Sequence, residues 1–350
     1  MTFSPTLNLD ALSPLVERLE ERRRQIAALE VAPELHQSLL SAVEARAAHL
    51  STLIEGNTMT EAQVTTLFAE GRATPTREEG ENLDYRDAAR CAAQLAGDFS
   101  ADIDGGLIRT LHYIVVRTTD RHETAGQYRT TQNLVAAGSR VVFRPPPPGD
   151  VPRLMSDLVA WLRGQRGTLH PLILAAVAHA EFVKVHPFDD GNGRTARALT
   201  RYLMLRGNWG LRGYVSAEEV FGSDIPAYYA NLNALGAVYP LTPPDLTKWV
   251  VWFLEQFDQR IESCVARIKE FSRLLREDLA FAEQRGPLPT RVGRALGKAI
   301  LSGAVTSSEY AHSAGISMPT AVADLNRLVD RGLLRRVGTA RATQYERVAR

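Results

Sequence analysis

Apolar residues recur every three or four positions along most of this chain, and that period predicts helices. Residues 11–30 alternate apolar and charged side chains in this way. Residues 34–54 repeat the pattern, with Leu35, Leu39, Val43, Leu50 and Ile54 near one face, and Gly56-Asn57 ends it. Residues 71–82 are polar and carry Gly and Pro, so they read as a loop. Helical spacing returns at 83–97, 105–118 and 151–163. Over 169–184, Leu169, Leu172, Ile173, Ala176, Val177, Ala180 and Val183 form a continuous stripe. Another helix starts near Arg194. The longest pattern covers 245–280, with Trp249, Phe253, Phe257, Ile261, Val265 and Ile268 on one side.

Two stretches break the period. Residues 126–143 carry β-branched and aromatic residues around Ala-Ala-Gly-Ser, which predicts a short hairpin. Pro145 to Pro148 follow it and should run extended. Farther on, Gly286, Pro287 and Pro289 mark a boundary. Beyond them, helical patterns at 291–302, 306–314 and 318–331 precede a two-stranded hairpin. The third helix is capped by Ser317. Three helices and a hairpin make a winged helix-turn-helix outline. The expected fold class is therefore mainly α, in three regions. Residues 1–100 are an N-terminal helical region, 101–284 a core with the hairpin and long helix, and 285–350 a winged-helix domain.

The 350 residues are 45% hydrophobic and 23% charged, an ordinary globular composition. Two cysteines, Cys91 and Cys264, exclude a disulfide framework and a cysteine-rich zinc site. The first residues lack a basic stretch followed by an apolar run. No stretch approaches the roughly 18 apolar residues of a membrane span. A cytoplasmic protein with no membrane partner is expected. The formal charge of +1 excludes a uniformly basic coat for nucleic acid. It also hides a split, because residues 285–350 carry a net +7 and the rest a net −6. A basic winged helix could bind DNA over 290–348, with Arg335, Arg336 and Arg341 on its phosphates. It equally suits docking on the acidic body or on another protein, since the helix at 318–331 is not richly basic.

Candidate chemistry concentrates in His186-Pro-Phe-Asp-Asp-Gly-Asn-Gly-Arg-Thr-Ala-Arg197. This string lies between two helical stripes, so it is a loop feeding a helix N-terminus. Free N–H groups and the helix dipole suit phosphate there. Gly191 and Gly193 let backbone amides approach an anion closely. Asn192 adds a side-chain donor. Arg194 and Arg197, three apart, can each fork onto phosphate oxygens. Asp190 is a hard oxygen ligand suited to Mg2+. His186 can act as a general base near neutral pH. No GxxxxGK[ST], HExxH or CxxC pattern occurs.

The string resembles the signature of the Fic family, HxFx(D/E)GNGRxxR, at every defined position: His186, Phe188, Asp190, Gly191, Asn192, Gly193, Arg194 and Arg197. Gly126-Gln-Tyr-Arg129 and the following hairpin, through residue 144, look like the family's flap. His170-Pro171, Ala175, Ala176 and His179 resemble the helix that leads into the motif, with both histidines in structural roles. The resemblance implies a Fic-type helical core that uses ATP and Mg2+. It implies transfer of AMP to a Tyr, Thr or Ser hydroxyl of a target protein, with release of pyrophosphate. The target would add a strand to the flap, bringing its hydroxyl to His186. Asp190 would hold Mg2+. Gly191, Asn192 and Gly193 would serve the α-phosphate, and Arg194 and Arg197 the β and γ groups. The intact Gly193 favours nucleotidyl transfer over kinase chemistry. Tyr228 and Tyr229 resemble a tyrosine pair near the nucleotide, though two aromatics on a helix suit a core equally.

Ser51-Thr-Leu-Ile-Glu55-Gly56 resembles the family's inhibitory motif, (S/T)xxxE(G/N). The likeness implies that Glu55 pairs with Arg197 and withholds it from the γ-phosphate, with Ser51 on the same helical face. The last 66 residues resemble the winged-helix tail of many bacterial Fic proteins. Many family members dimerise, so a homodimer is compatible, although no segment fixes an interface. Two rivals remain open. One is a DNA-binding transcriptional regulator whose Fic fold is a sensor or scaffold. The other is a Fic enzyme that transfers another nucleotide.

Overall fold

Helices with an apolar face must bury it against other elements, and in this chain they pack round one buried helix. The computed structural model describes residues 3–71, 73–98, 102–120, 122–137, 140–240, 242, 244–338 and 343–349. Arg341, one of the expected DNA contacts, lies outside them. Among the described residues the N-terminal helices are α1 (Leu9–Ala27), α2 (Pro33–Leu53), α3 (Glu61–Glu70), α4 (Arg77–Gly97) and α5 (Gly105–Val115). A hairpin of β1 (Val135–Ala137) and β2 (Arg140–Phe143) follows. Next come α6 (Val151–Gln165), α7 (Pro171–Val185), α8 (Asn192–Arg206), α9 (Ala217–Gly222), α10 (Ile225–Asn233) and α11 (Thr247–Glu283). The last part holds α12 (Val292–Ser302), β3 (Ala304–Val305), α13 (Ser307–Ala314), α14 (Met318–Asp330), β4 (Leu334–Val337) and β5 (Gln344–Arg347).

α7 is the axis. Every residue from Leu172 to Val185 except Val183 is buried. The apolar stripe therefore understates it, since α6, α8 and α11 cover it from different sides. α8 also packs on α4 and α5, and α1 lies along α11. The aromatic side of α11 behaves as its period predicts, with Trp249, Phe253 and Phe257 buried.

Caps decide several boundaries. Thr60 with Gln63, Thr76 with Glu79 and Thr306 with Glu309 form reciprocal capping boxes. The box at Thr76 starts α4 at Arg77, so 77–82 is helix and not the expected loop. Glu78 and Glu79 favour a first turn, and Gly80 fits because a Cβ there would collide with Thr118. α3, α9 and β3 have no counterpart in the sequence pattern, because elements so short display too little of a period. The hairpin is also shorter than 126–143 suggests. Its ladder joins 135–137 to 140–143, with an irregularity at Val135/Ala136. Residues 126–134 form no strand, and Gly126 turns the chain at a φ of 73°.

In the tail, β5 lies between β3 and β4 in an antiparallel sheet. α12 packs on both α2 and α11. Arg347 in β5 donates to both oxygens of Asp278 in α11, at 2.8 and 3.1 Å. Arg331 donates to the carbonyls of Ala282 and Gly286, at a helix end where carbonyls lack helical partners.

Candidate active site

α7 ends at His186, where φ 49° and ψ 59° turn the chain left-handed. A non-glycine residue in that region is uncommon and is held there by its surroundings. The His186 N–H still bonds Phe182 O at 3.0 Å. Its Nδ1 lies 3.3 Å from Val183 O. That contact assigns the proton to Nδ1 and leaves the Nε2 lone pair available. Burial draws the His186 pKa below the usual histidine value, although the Val183 carbonyl and Glu55 oppose the shift. A neutral imidazole with a bare nitrogen is a base.

The chain then passes Asp190 and enters α8 at Gly191, whose φ is 71°. The Gly191 N–H donates to Asp190 Oδ1 at 2.7 Å. Asp190 Oδ2 lies 3.7 Å from Arg194 Nη2. Asn192 is not the free anion donor that the sequence suggested. Its Oδ1 accepts from the Phe188 N–H at 2.9 Å and its Nδ2 donates to Phe188 O at 2.8 Å. It braces the loop. Phe188 is fully buried.

His112 of α5 joins the site without any signal in the sequence that separates it from other polar helical residues. Its ring stacks on Phe188 with centroids 3.7 Å apart. Nδ1 accepts the Gly126 N–H at 2.8 Å, so Nε2–H donates to Asp190 O at 3.0 Å. Burial draws its pKa down to about 4, so it holds the loop as a neutral ring. Arg129 is a second residue whose role the sequence did not reveal. Its Nε donates to His186 O at 2.8 Å.

Arg194 and Arg197 share a helical face yet diverge. Arg194 is buried, its Nη1 approaches Val115 O at 3.5 Å, and its Nε has no partner among the described residues. Arg197 is fully buried and turns to the end of α2. Its Nη2 donates to Glu55 Oε1 and to Ser51 O, each at 2.7 Å, and its Nε donates to Ser51 Oγ at 2.8 Å. Its Nη1 has no partner among the described residues. The Glu55 carboxylate rests against Gly193, where a Cβ would collide with it. The absence of a side chain at 193 is what admits the pair.

The tyrosine pair divides. Tyr228 is buried, 3.0 Å from His179 Nε2, and packs on Phe221 and Trp249. It is buried among aromatic rings, yet Arg197 and Glu55 lie close enough to act on its hydroxyl. The Tyr229 hydroxyl donates to Ile54 O at 3.1 Å, beside Glu55. His179 is structural, between Thr200 and Tyr228. In the tail, Arg335 pairs with Glu346 at 2.7 Å, while Arg336 is exposed with no ion-pair partner among the described residues.

Residues 102–204 match the Fic/DOC family model. The matched segment holds His112, Arg129 and the loop from His186 to Arg197, whereas Glu55 and the tail lie outside it. A protein adenylyltransferase Fic of Drosophila yakuba is 34% identical over 226 residues, 60% of this chain and 44% of that protein. The same-named protein of Drosophila melanogaster is 33% identical with the same coverage. The chain thus spans less than half the length of the curated relatives it matches. A Fic family protein from Desulfovibrio desulfuricans superposes over 99% of both chains with a TM-score of 0.62 at 24% identity. A Fic domain signaling protein from Bacteroides thetaiotaomicron gives 0.57 at 21% identity, covering 73% of this chain and 96% of its own. These likenesses establish a shared helical fold.

Proposed function

We propose that the chain is a protein adenylyltransferase that moves AMP from Mg-ATP to a hydroxyl of a target protein, and that Glu55 holds it inactive. The name carried by the Drosophila relatives supports this reading. The observation that carries it is His186 at the end of α7, its Nδ1 turned to Val183 O, on the same short loop that leads to the Gly191 N-cap of α8.

The residues fit a nucleoside triphosphate. Arg194 Nε and Arg197 Nη1 are buried donors without partners among the described residues, a condition that an anion would relieve. Among the described residues no group of three or more His, Cys, Asp or Glu could hold a metal alone. A single carboxylate at Asp190 suits Mg2+, which is commonly held by one or two carboxylates and substrate phosphates. Bound there, Mg2+ would neutralise phosphate charge.

In the proposed reaction, His186 Nε2 takes the proton of the target hydroxyl as its oxygen bonds to Pα. The bond from Pα to the bridging oxygen breaks, and pyrophosphate leaves. The first N–H groups of α8 and Arg194 face the charge that develops on phosphate. Asn192 contributes by bracing the loop. Residues 126–144 act as the flap, pairing with an extended target segment. Arg197 is unavailable to the γ-phosphate while Glu55 and Ser51 hold it.

Residues 1–100 then carry the brake, 101–284 the catalytic core and 285–350 a winged-helix domain. The order helix, strand, helix, helix, strand, strand supports the last assignment. Many of the tail's cations are engaged, as in Arg291 and Arg327 with Asp324, Arg335 with Glu346 and Arg347 with Asp278. Of these, the Arg347–Asp278 pair joins the tail to α11 and supports a docking role for it.

The test incubates the Glu55→Gly protein with ATP labelled at the α- or the γ-phosphate and follows label on protein. Label from the α position alone is expected, at a higher level than wild type. Label from the γ position only indicates a kinase, and no label from several nucleotides removes the transferase reading. The His186→Ala variant is expected to stay folded and unlabelled.

A further inference from the structure

We infer that Arg129 is a positioning residue that locks the loop bearing His186 to both stems of the flap, so that base and target-binding strand form one body. The inference rests on the adenylyltransferase reading for its functional meaning, though its geometry does not.

Arg129 is 2% exposed and, among the described residues, has no ion-pair partner. Its donors go to backbone carbonyls instead. Nε donates to His186 O at 2.8 Å and Nη1 to Thr131 O at 3.1 Å. Nη2 donates to Pro146 O at 2.6 Å and reaches Val185 O at 3.4 Å. Its own N–H bonds Pro187 O at 2.9 Å. Three segments meet on one guanidinium. Val185 and His186 end α7, where carbonyls lack helical partners. Thr131 precedes β1 and Pro146 follows β2, so these are the two stems of the hairpin.

Only a planar fork with five fixed donors can join three segments at once. A lysine offers a single point of charge. Burying a cation without a direct ion pair is costly, although the charge of Asp189 offsets part of that cost, and an apolar residue would fill the same space without it. What the guanidinium adds is the tie between segments. Other contacts run the same way. Asn133 Nδ2 donates to Phe188 O at 3.1 Å, and the Lys184 ammonium lies 4.0 Å from the centre of the Phe143 ring. Arg129 is the member that reaches the backbone of His186 itself.

The test is amide hydrogen exchange on the full chain, comparing wild type with Arg129→Lys, which keeps the charge and loses the fork. The amides of Arg144, His186 and Phe188 are all bonded, and Val177 at the centre of α7 is the reference. Arg129→Lys is expected to speed exchange at the three amides about tenfold and to leave Val177 unchanged. Unchanged exchange, or Val177 loosening in step with the others, overturns the inference. Leu158→Ala, a remote core truncation, shows what general loosening looks like. Should Arg129→Lys not fold, wild type decides alone: in low denaturant, Arg144 and His186 must open together with one denaturant dependence, and separate openings overturn the lock. In the Glu55→Gly background, transfer to protein is expected to fall about tenfold at saturating ATP with an unchanged KM for ATP. A rise in that KM with transfer intact overturns the positioning role. Exchange is read without catalysis, so a failed labelling experiment removes the transferase reading and leaves the lock standing.

Discussion

His112 shows what burial does to a single side chain here. Burial draws its pKa to about 4, against 6.5 for an ordinary histidine. The unfolded chain therefore binds more protons between those two values. The stability that His112 contributes is complete above pH 6.5 and is lost as pH falls towards 4. The shift corresponds to an order of about 3 kcal/mol. His170 and His179 are displaced in the same direction by burial, and buried Glu181, raised to about 7, has the opposite sign. Calorimetric Tm measured from pH 7 to 4 should fall less in His112→Gln than in wild type, and equal slopes would reject the assignment. At this scale the sequence was legible where residues are consecutive. His186, Asp190, Gly191, Gly193, Arg194 and Arg197 lie within one loop and helix turn, so their proximity follows from covalent geometry. His112 and Arg129 reach the same loop from elsewhere, and nothing in their local spacing says so.

The end of α2 carries the clearest effect of a whole element. Ser51 and Glu55 are one turn apart, and that turn faces Arg197 from across the core. Ser51→Ala removes one acceptor and leaves Arg197 Nε buried without a partner, at a cost of about 1–3 kcal/mol. Glu55 and Ser51 O still hold Nη2. Transfer of AMP by Ser51→Ala should therefore exceed wild type and fall short of Glu55→Gly, in one labelled-ATP assay of all three. Activity equal to wild type would mean that Ser51 takes no part in the brake. The long helices were readable because two or more turns repeat a period. The run 77–82 was misread because a capping box outweighs a glycine and four charges. The hairpin is shorter than its composition suggests because residues 126–134 form turns and irregular chain, with the Thr131 carbonyl bound by Arg129 and no ladder.

Across the whole molecule, the tail changes the meaning of the charge balance. The net +7 and −6 suggested docking by long-range attraction, which salt would loosen. The contact instead rests on α12 packed against α2 and α11 and on the Arg347–Asp278 pair, whose side chains are 15% and 3% exposed. A buried pair is screened weakly, so tryptic cleavage after Arg285 should hardly change up to about 1 M salt. Asp278→Asn leaves the Arg347 charge without its partner, a loss of about 3–5 kcal/mol, and should speed that cleavage. Salt-sensitive cleavage of wild type would restore the long-range account. By itself the sequence determined the helical character and the loop of candidate chemistry, because each is written in neighbouring residues. The resemblance implied that Arg197 pairs with Glu55, whereas only the tertiary structure decided that Arg194 and Arg197 diverge from one helical face, that His112 stacks on Phe188, and that Arg129 binds three segments. Those outcomes depend on which distant surfaces pack together. Packing selects among many contacts that local spacing leaves equal in energy.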